Sequence, residues 1–312
     1  MTRAMHYLQA GTVVLLLAAI LAAGENTGTQ PDRDGADLLT AHPLLLGAHR
    51  CGRHEWPENT LVAVREAAKR WPEALLEVDA QLSSDGQVVL MHDFDVDRTT
   101  DGTGYLGSKT LAELQMLDAA YHFTQDGGNT FPYRGSGVRI PTLKEALAAA
   151  PDHRFFIEMK DGTDIGRATA EAILEAGAAH RCIVASVSPL FLEAFRTHAP
   201  GVATAYDFIS AADMLAALRG GDWKAHQPAH RLLALSPKLK QQFDMTDEEL
   251  DRIRQKGILV SFFTLNTPEE MREAMDLGVD NILTDCPSLL ATIIKERGAH
   301  CDTGNGPPEQ VQ

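Results

Sequence analysis

This sequence of 312 residues is short of several things, and each shortage closes off a class of function. It has four cysteines, Cys51, Cys182, Cys286 and Cys301, and no Cys-x-x-Cys pair, so neither a zinc ribbon nor a dithiol redox centre is expected. Lysine and arginine are scarce, 28 against 43 acidic residues, leaving a formal net charge of −15. No basic stripe is available to neutralise a phosphate backbone, and nucleic acid is not expected as a partner. A small phosphate ester stays open as a ligand, because salt screens distant surface charge over roughly 8–10 Å while local cations act at contact. The apolar N-terminal run, 11–21, falls short of the about 20 residues a bilayer span requires. With Arg3 before it and Ala22-Ala23-Gly24 after it, the run reads as an export signal over 1–24, an uncleaved anchor being the alternative. No cysteine follows the run, so a lipoprotein attachment signal is absent. The expected location is periplasmic or extracellular, with 25–41 as a polar linker.

From residue 42 onward, short apolar runs alternate with amphipathic stretches, the pattern of a parallel sheet wrapped by helices. Eight strands are expected at 44–48, 75–80, 155–159, 183–187, 202–206, 232–235, 259–264 and 281–284. Helices are expected at 60–70, 143–150, 165–179, 189–198, 211–219, 247–256, 268–276 and 288–296. Thr246 before an acidic turn and Thr267 before Pro268 are helix starts, while Gly257 and Gly278 stand where helices end. Eight such units make a (β/α)8 TIM barrel over 42–298, an architecture that commonly fills about 250 residues. A small insertion is expected after the second strand, about 93–141, and a flexible tail over 299–312.

Charged residues stand at the ends of these strands. His49-Arg50 follows the first, and Glu77-Val78-Asp79 lies within the second. His92-Asp93 follows the run 88–91, and Glu158-Met159-Lys160 ends the third strand. Strand residues alternate faces, so Glu77 shares a face with Asp79, and Glu158 with Lys160. Charge buried on a packed strand is costly unless it is paired or bound to a cation. Three acids aimed at one place suggest a site for a hard metal ion; a structural ion network with Arg50 and Lys160 is the bland alternative.

These residues, together with Pro57-Glu58-Asn59-Thr60, Asp85-Gly86, Arg98-Thr99-Thr100, Ile140-Pro141-Thr142-Leu143, Phe263-Thr264-Leu265-Asn266 and the stretch 278–287, occur in the order seen in glycerophosphodiester phosphodiesterases, which this chain resembles from about residue 44 to 290. The resemblance implies hydrolysis of a small-molecule glycerophosphodiester to glycerol 3-phosphate and an alcohol. It implies Glu77, Asp79 and Glu158 as ligands of one divalent cation, Ca or Mg, and His49 and His92 as the acid–base pair. It implies Arg50, Lys160 and Phe263 as substrate-binding residues, with Glu58 and Asn59 at the edge of the site. An imidazole titrating near 6.5 suits either proton role. The remaining histidines read as surface or packing residues, although His54 shares a loop with His49.

The family usually has glycine where this chain has Cys51. A cysteine held at positive φ there would cost about 1–2 kcal/mol. Cys51 and Cys286 border the first and last strands, neighbours in a closed barrel, so a bridge between them is open, as are four free or buried thiols. A lysophospholipase D using the same catalytic set is the nearest alternative. It would need an apolar rim, for which 123–139 is the candidate, and transient contact with a membrane surface. A non-catalytic phosphodiester-binding protein is the rival from another class.

Overall fold

The computed structural model describes residues 45–302, with side chains to residue 298. The expected signal segment, the linker and residues 303–312 lie outside these bounds, as does the side chain of Cys301.

Eight parallel strands form the barrel: β1 (Leu46–Ala48), β2 (Leu75–Leu82), β4 (Arg154–Asp161), β5 (Cys182–Ala185), β6 (Ala203–Thr204), β7 (Leu232–Leu235), β8 (Leu259–Phe262) and β9 (Asn281–Thr284). Their spatial order is β6-β5-β4-β2-β1-β9-β8-β7. A parallel bridge between Ala205 and Leu232 joins the two ends of that order, with Tyr206 N–H donating to the Leu232 carbonyl at 2.8 Å. The expected barrel is therefore found. The strand expected over 202–206 shrinks to two residues, and the last helix runs to Asp302, so the first residues of the expected tail are helical.

The second unit departs from the simple expectation. Its strand continues to Leu82, turns over Ser83–Gln87, and returns as β3 (Val88–Leu90), antiparallel to β2 with Ala80 opposite Leu90. His92 thus arrives on a hairpin that folds back along β2, not at the end of a barrel strand. Beyond it, Val96, Leu106, Leu114, Ala120, Val138 and Ile140 bury one another with Val89 and Met91, a small core separate from the barrel interior. Two further helices, Leu111–Leu114 and Pro237–Gln242, are too short to carry a periodic signal.

The barrel interior is layered, as alternation requires. Leu75, Phe156, Ile183, Ala205, Leu232 and Leu283 fill an apolar layer, and Phe263 packs on it half-buried. Because Leu75 and Phe156 point inward, Glu77, Asp79, Glu158 and Lys160 must do so as well, nearer the strands' C-terminal ends. Around the outside, helices start on caps the sequence announces: Thr60 accepts from Ala63 N–H, and Thr246 and Thr267 form reciprocal caps with Glu249 and Glu270. No helix among the described residues is long and apolar enough to cross a membrane.

Candidate active site

The site begins with strand register. In the parallel β2–β4 pair, Asp79 lies directly opposite Glu158. Like charges so placed repel, and Glu77 adds a third. Oxygens of all three carboxylates lie within 4.8 Å of one another. Lys160 Nζ is 2.7 Å from Glu158 Oε2 and 3.2 Å from Asp79 Oδ1. Burial, reinforced by Asp79 and Glu158, pushes the Glu77 carboxyl well above its ordinary range. Burial also opposes charge on Asp79, but Lys160 and Arg50 outweigh it and hold that carboxyl below its ordinary value. The buried Asp79 Oδ1 receives no hydrogen bond. Three converging carboxylates, one of them with an oxygen left without a hydrogen bond, fit a calcium- or magnesium-like ion.

Surrounding groups hold Glu77 and Asp79 in place. The Arg50 backbone N–H donates to Glu77 Oε2 at 2.6 Å, and Asn59 Nδ2 donates to Asp79 Oδ2 at 2.8 Å. Asn59 also accepts from Asp79 N–H at 3.0 Å. The Arg50 guanidinium, 6% exposed, donates to Glu58 and lies 3.4 Å from Asp79. Glu58 in turn accepts two bonds from Arg98, at 2.7 and 2.8 Å. Burial of Glu58 is outweighed by these two arginines, which keep it ionised. Glu58 and Asn59, which the resemblance puts at the edge of the site, hold Arg50 and Asp79 directly.

The chain between β1 and the first helix makes a tight path. Arg50, Cys51 and Gly52 have φ of 49°, 59° and 91°. Cys51 therefore does occupy a left-handed position where glycine is the unstrained choice. Its side chain is fully buried, and the thiol donates to the Glu77 carbonyl at 3.6 Å. Burial and the facing Glu77 and Asp79 raise its pKa well above normal, so it is no nucleophile. The Cys51–Cys286 bridge considered from the sequence is not formed. Both thiols are free, and Cys286 Sγ instead contacts His54 Nδ1 at 3.2 Å.

Both candidate histidines face a carboxylate at Nδ1. His92 Nδ1 is 2.7 Å from Asp93 Oδ1, and Asp93 also accepts from Arg98 Nε at 2.5 Å. The His92 bond and Arg98 hold Asp93 well below the usual carboxylate range. His49 Nδ1 is 2.6 Å from Asp285 Oδ1, while its Nε2 lies 3.9 Å from Glu77 Oε2. Asp285 sits one residue beyond β9, and sequence reasoning gave it no role, although its place after the last strand, beside β1 in a closed barrel, was the available signal. His54 Nε2 is 3.8 Å from the same carboxylate.

Apolar side chains gather elsewhere on the mouth. Val187 and Leu190, which follow β5, are 77% and 73% exposed, and Phe208 and Ile209, which follow β6, are exposed as well. Ala185 is in register with Glu158, so Val187 lies beyond the acidic centre on the mouth side. The expected rim of 123–139 is otherwise engaged: Phe123 packs on Tyr133 at 5.6 Å, and Arg134 stacks on Phe131 and Tyr121.

Comparison with known proteins agrees with this architecture. A glycerophosphodiester phosphodiesterase of Caldanaerobacter subterraneus subsp. tengcongensis is 30% identical, over 81% of this chain and 99% of its own. The crystal structure of the glycerophosphoryl diester phosphodiesterase domain of an uncharacterised Mycobacterium tuberculosis protein superposes with a TM-score of 0.68 at 27% identity, covering 82% of this chain and all of that domain. An Oleispira antarctica phosphodiesterase, solved in complex with the product sn-glycerol-3-phosphate, shares the fold with a TM-score of 0.66 at 24% identity, covering 83% of this chain and 99% of its own. Residues 49–289, which carry every site group above, match the glycerophosphoryl diester phosphodiesterase family, and the chain belongs to it.

Proposed function

We propose that this phosphoric diester hydrolase cleaves glycerophosphodiesters to glycerol 3-phosphate and an alcohol, using two histidines beside a divalent cation. The observation that carries the reading is the convergence of Glu77, Asp79 and Glu158 between two histidines that each present a carboxylate-held ring. Calcium or magnesium held by the three acids would polarise the phosphorus and offset charge that repels a nucleophile. One histidine takes the proton from the attacking water, or from the glycerol 2-hydroxyl, as the new P–O bond forms; the 2-hydroxyl route leaves a cyclic phosphate, which a water, deprotonated in the same way, then opens to glycerol 3-phosphate. The other gives a proton to the departing alkoxide as the old bond breaks. Lys160 faces the non-bridging oxygens, while Arg50, tied to Glu58 and Asp79, contributes its charge from behind. Phe263 forms the pocket's apolar floor. A passive binding protein would have no use for two such histidines.

The test is choline release from glycerophosphocholine by purified protein, with and without EDTA. Turnover that EDTA abolishes and calcium or magnesium restores is expected. Absence of turnover with both ions, or full activity in protein shown by elemental analysis to be metal-free, overturns the reading.

A second reading rests on the exposed arc of Val187, Leu190, Phe208 and Ile209. Apolar groups left bare beside a polar pocket mark a place for an apolar partner. They suit the single acyl chain of a lysophospholipid reached at a membrane surface, which would make the enzyme a lysophospholipase D as well. Choline release from lysophosphatidylcholine in a parallel assay decides it; turnover of glycerophosphocholine alone rejects it. Export is part of the proposal, supported by Arg3, the apolar run 11–21 and the small residues after it. N-terminal sequencing of the secreted protein should begin near residues 23–26, and residues 1–22 found intact would refute cleavage.

A further inference from the structure

We infer that Asp285 and Asn266 act together as a positioning clamp that fixes the tautomer and direction of His49. The inference rests on the proposed role of His49, and adds two residues to which that role had not extended.

The clamp joins the ends of three adjacent strands. Asn266, four residues beyond β8, grips residue 285 twice: its Nδ2 donates to Asp285 Oδ2 at 2.9 Å, and its Oδ1 accepts from Asp285 N–H at 2.9 Å. Thr284 Oγ1 donates to the same Oδ1 at 3.2 Å. These donors leave the Asn266 amide one way to point, since a flipped amide would set N–H against N–H. With Oδ2 held, Asp285 Oδ1 is aimed at His49 Nδ1, 2.6 Å away. A carboxylate can only accept there while it is ionised, so the proton of a neutral His49 must sit on Nδ1. The lone pair is then on Nε2, which faces the acidic centre 3.9 Å from Glu77 Oε2. Asp285 is kept ionised against its burial by His49, Arg53 and Asn266. Arg53 Nε stands 3.6 Å from Oδ1, beyond hydrogen-bond reach.

The arrangement differs from that of His92. Its partner Asp93 follows it directly in the chain and is shared with Arg98 at 2.5 Å. His92 takes its orientation from its own loop. His49 takes it from the far end of the sequence, through Asp285 and the asparagine that holds it.

The experiment compares Asp285→Asn, Asp285→Ala and Asn266→Ala with wild type, in protein labelled with ¹⁵N-histidine. Asp285→Ala and Asp285→Asn should each lower kcat for glycerophosphocholine by about 10–100-fold, and Asn266→Ala by a smaller factor, with KM and bound metal unchanged; that is the usual scale for losing an orienting partner. The ¹⁵N shifts of His49, identified by their loss in His49→Ala, should report an Nδ1–H tautomer in wild type and a shift toward Nε2–H in Asp285→Ala. A packing role alone would not move that ratio. Should Asp285→Ala fail to fold, Asn266→Ala and the near-isosteric Asp285→Asn carry the kinetic test, and the wild-type spectrum alone tests the tautomer. An Nε2–H wild-type His49 overturns the inference, as does kcat within two-fold of wild type in the folded variants. If wild type turns over no phosphodiester, the functional reading fails, while the spectrum still decides the clamp.

Discussion

The two sides of the barrel mouth are built to opposite specifications. On the β9–β1–β2–β4 side, His49, Arg50, Glu77, Asp79, Glu158, Lys160 and Asp285 are tied into one network, and almost every polar atom has a partner. On the β5–β6 side, Val187 and Leu190 stand bare, and Ile209 and Phe208, the latter packed on Phe243, are partly exposed. Charges in a low-dielectric interior are tolerable only when each is satisfied, so the first wall has little freedom to vary. The second wall carries no such constraint. In the proposed function the chemistry belongs to the first wall and the choice of substrate to the second.

The sharpest way to break this division is to remove a charge from the polar wall. Asp79→Asn or Glu77→Gln should abolish the response to added cation, and calorimetric titration should show no binding where wild type binds. The raised Glu77 pKa sets the pH dependence. Without a cation the folded protein keeps that proton at pH values where an ordinary glutamate has lost it, so cation binding must displace it. Apparent affinity should therefore rise with pH until Glu77 is ionised on its own, and titrations in buffers of different ionisation enthalpy should detect the released proton. A pH-independent affinity across the acidic range contradicts the arrangement.

Next in size are the histidines. His49→Ala and His92→Ala should each lower kcat by at least about 10²-fold while circular dichroism stays unchanged. Activity within a few-fold of wild type would remove the altered histidine from the mechanism.

The apolar wall should respond differently. Val187→Asp or Ile209→Asp should leave glycerophosphocholine turnover unchanged and lower lysophosphatidylcholine turnover about 10-fold, the scale of one buried aliphatic side chain. Equal losses on both substrates would show that the walls are not independent. The smallest effect concerns the thiols. Reductant should leave activity unaltered, and thiol titration of unfolded, non-reduced protein should find Cys51 and Cys286 free.

Periodicity made the barrel legible in the sequence, because eight apolar runs of strand length separated by capped helices have few other solutions. The i,i+2 spacing of Glu77 with Asp79 and of Glu158 with Lys160 settled which residues share a face. The family's glycine at the position of Cys51 pointed to strain there, and the φ of 59° lies where glycine is favoured. Other features depended on long-range register. The hairpin that returns His92 along β2 is visible only once Ala80 is paired with Leu90. The aromatics of 123–139 have the composition of a rim, yet pack on one another, while the exposed apolar groups come from the loop after β5 and from the first turns of the helices Pro189–His198 and Phe208–Gly220.

What the sequence alone determined is therefore whatever follows from spacing along a single strand or helix: element type, inward face, helix caps, and which charged residues of one strand share a face. The tertiary structure decided the contacts between residues distant in the chain. Asp79 meets Glu158 through the β2–β4 register, and His49 meets Asp285 only because the first and last strands are neighbours in the closed barrel. Their separation of 236 positions leaves no periodic trace, since hydrophobic patterning records which face is buried and not which polar group waits on the other side.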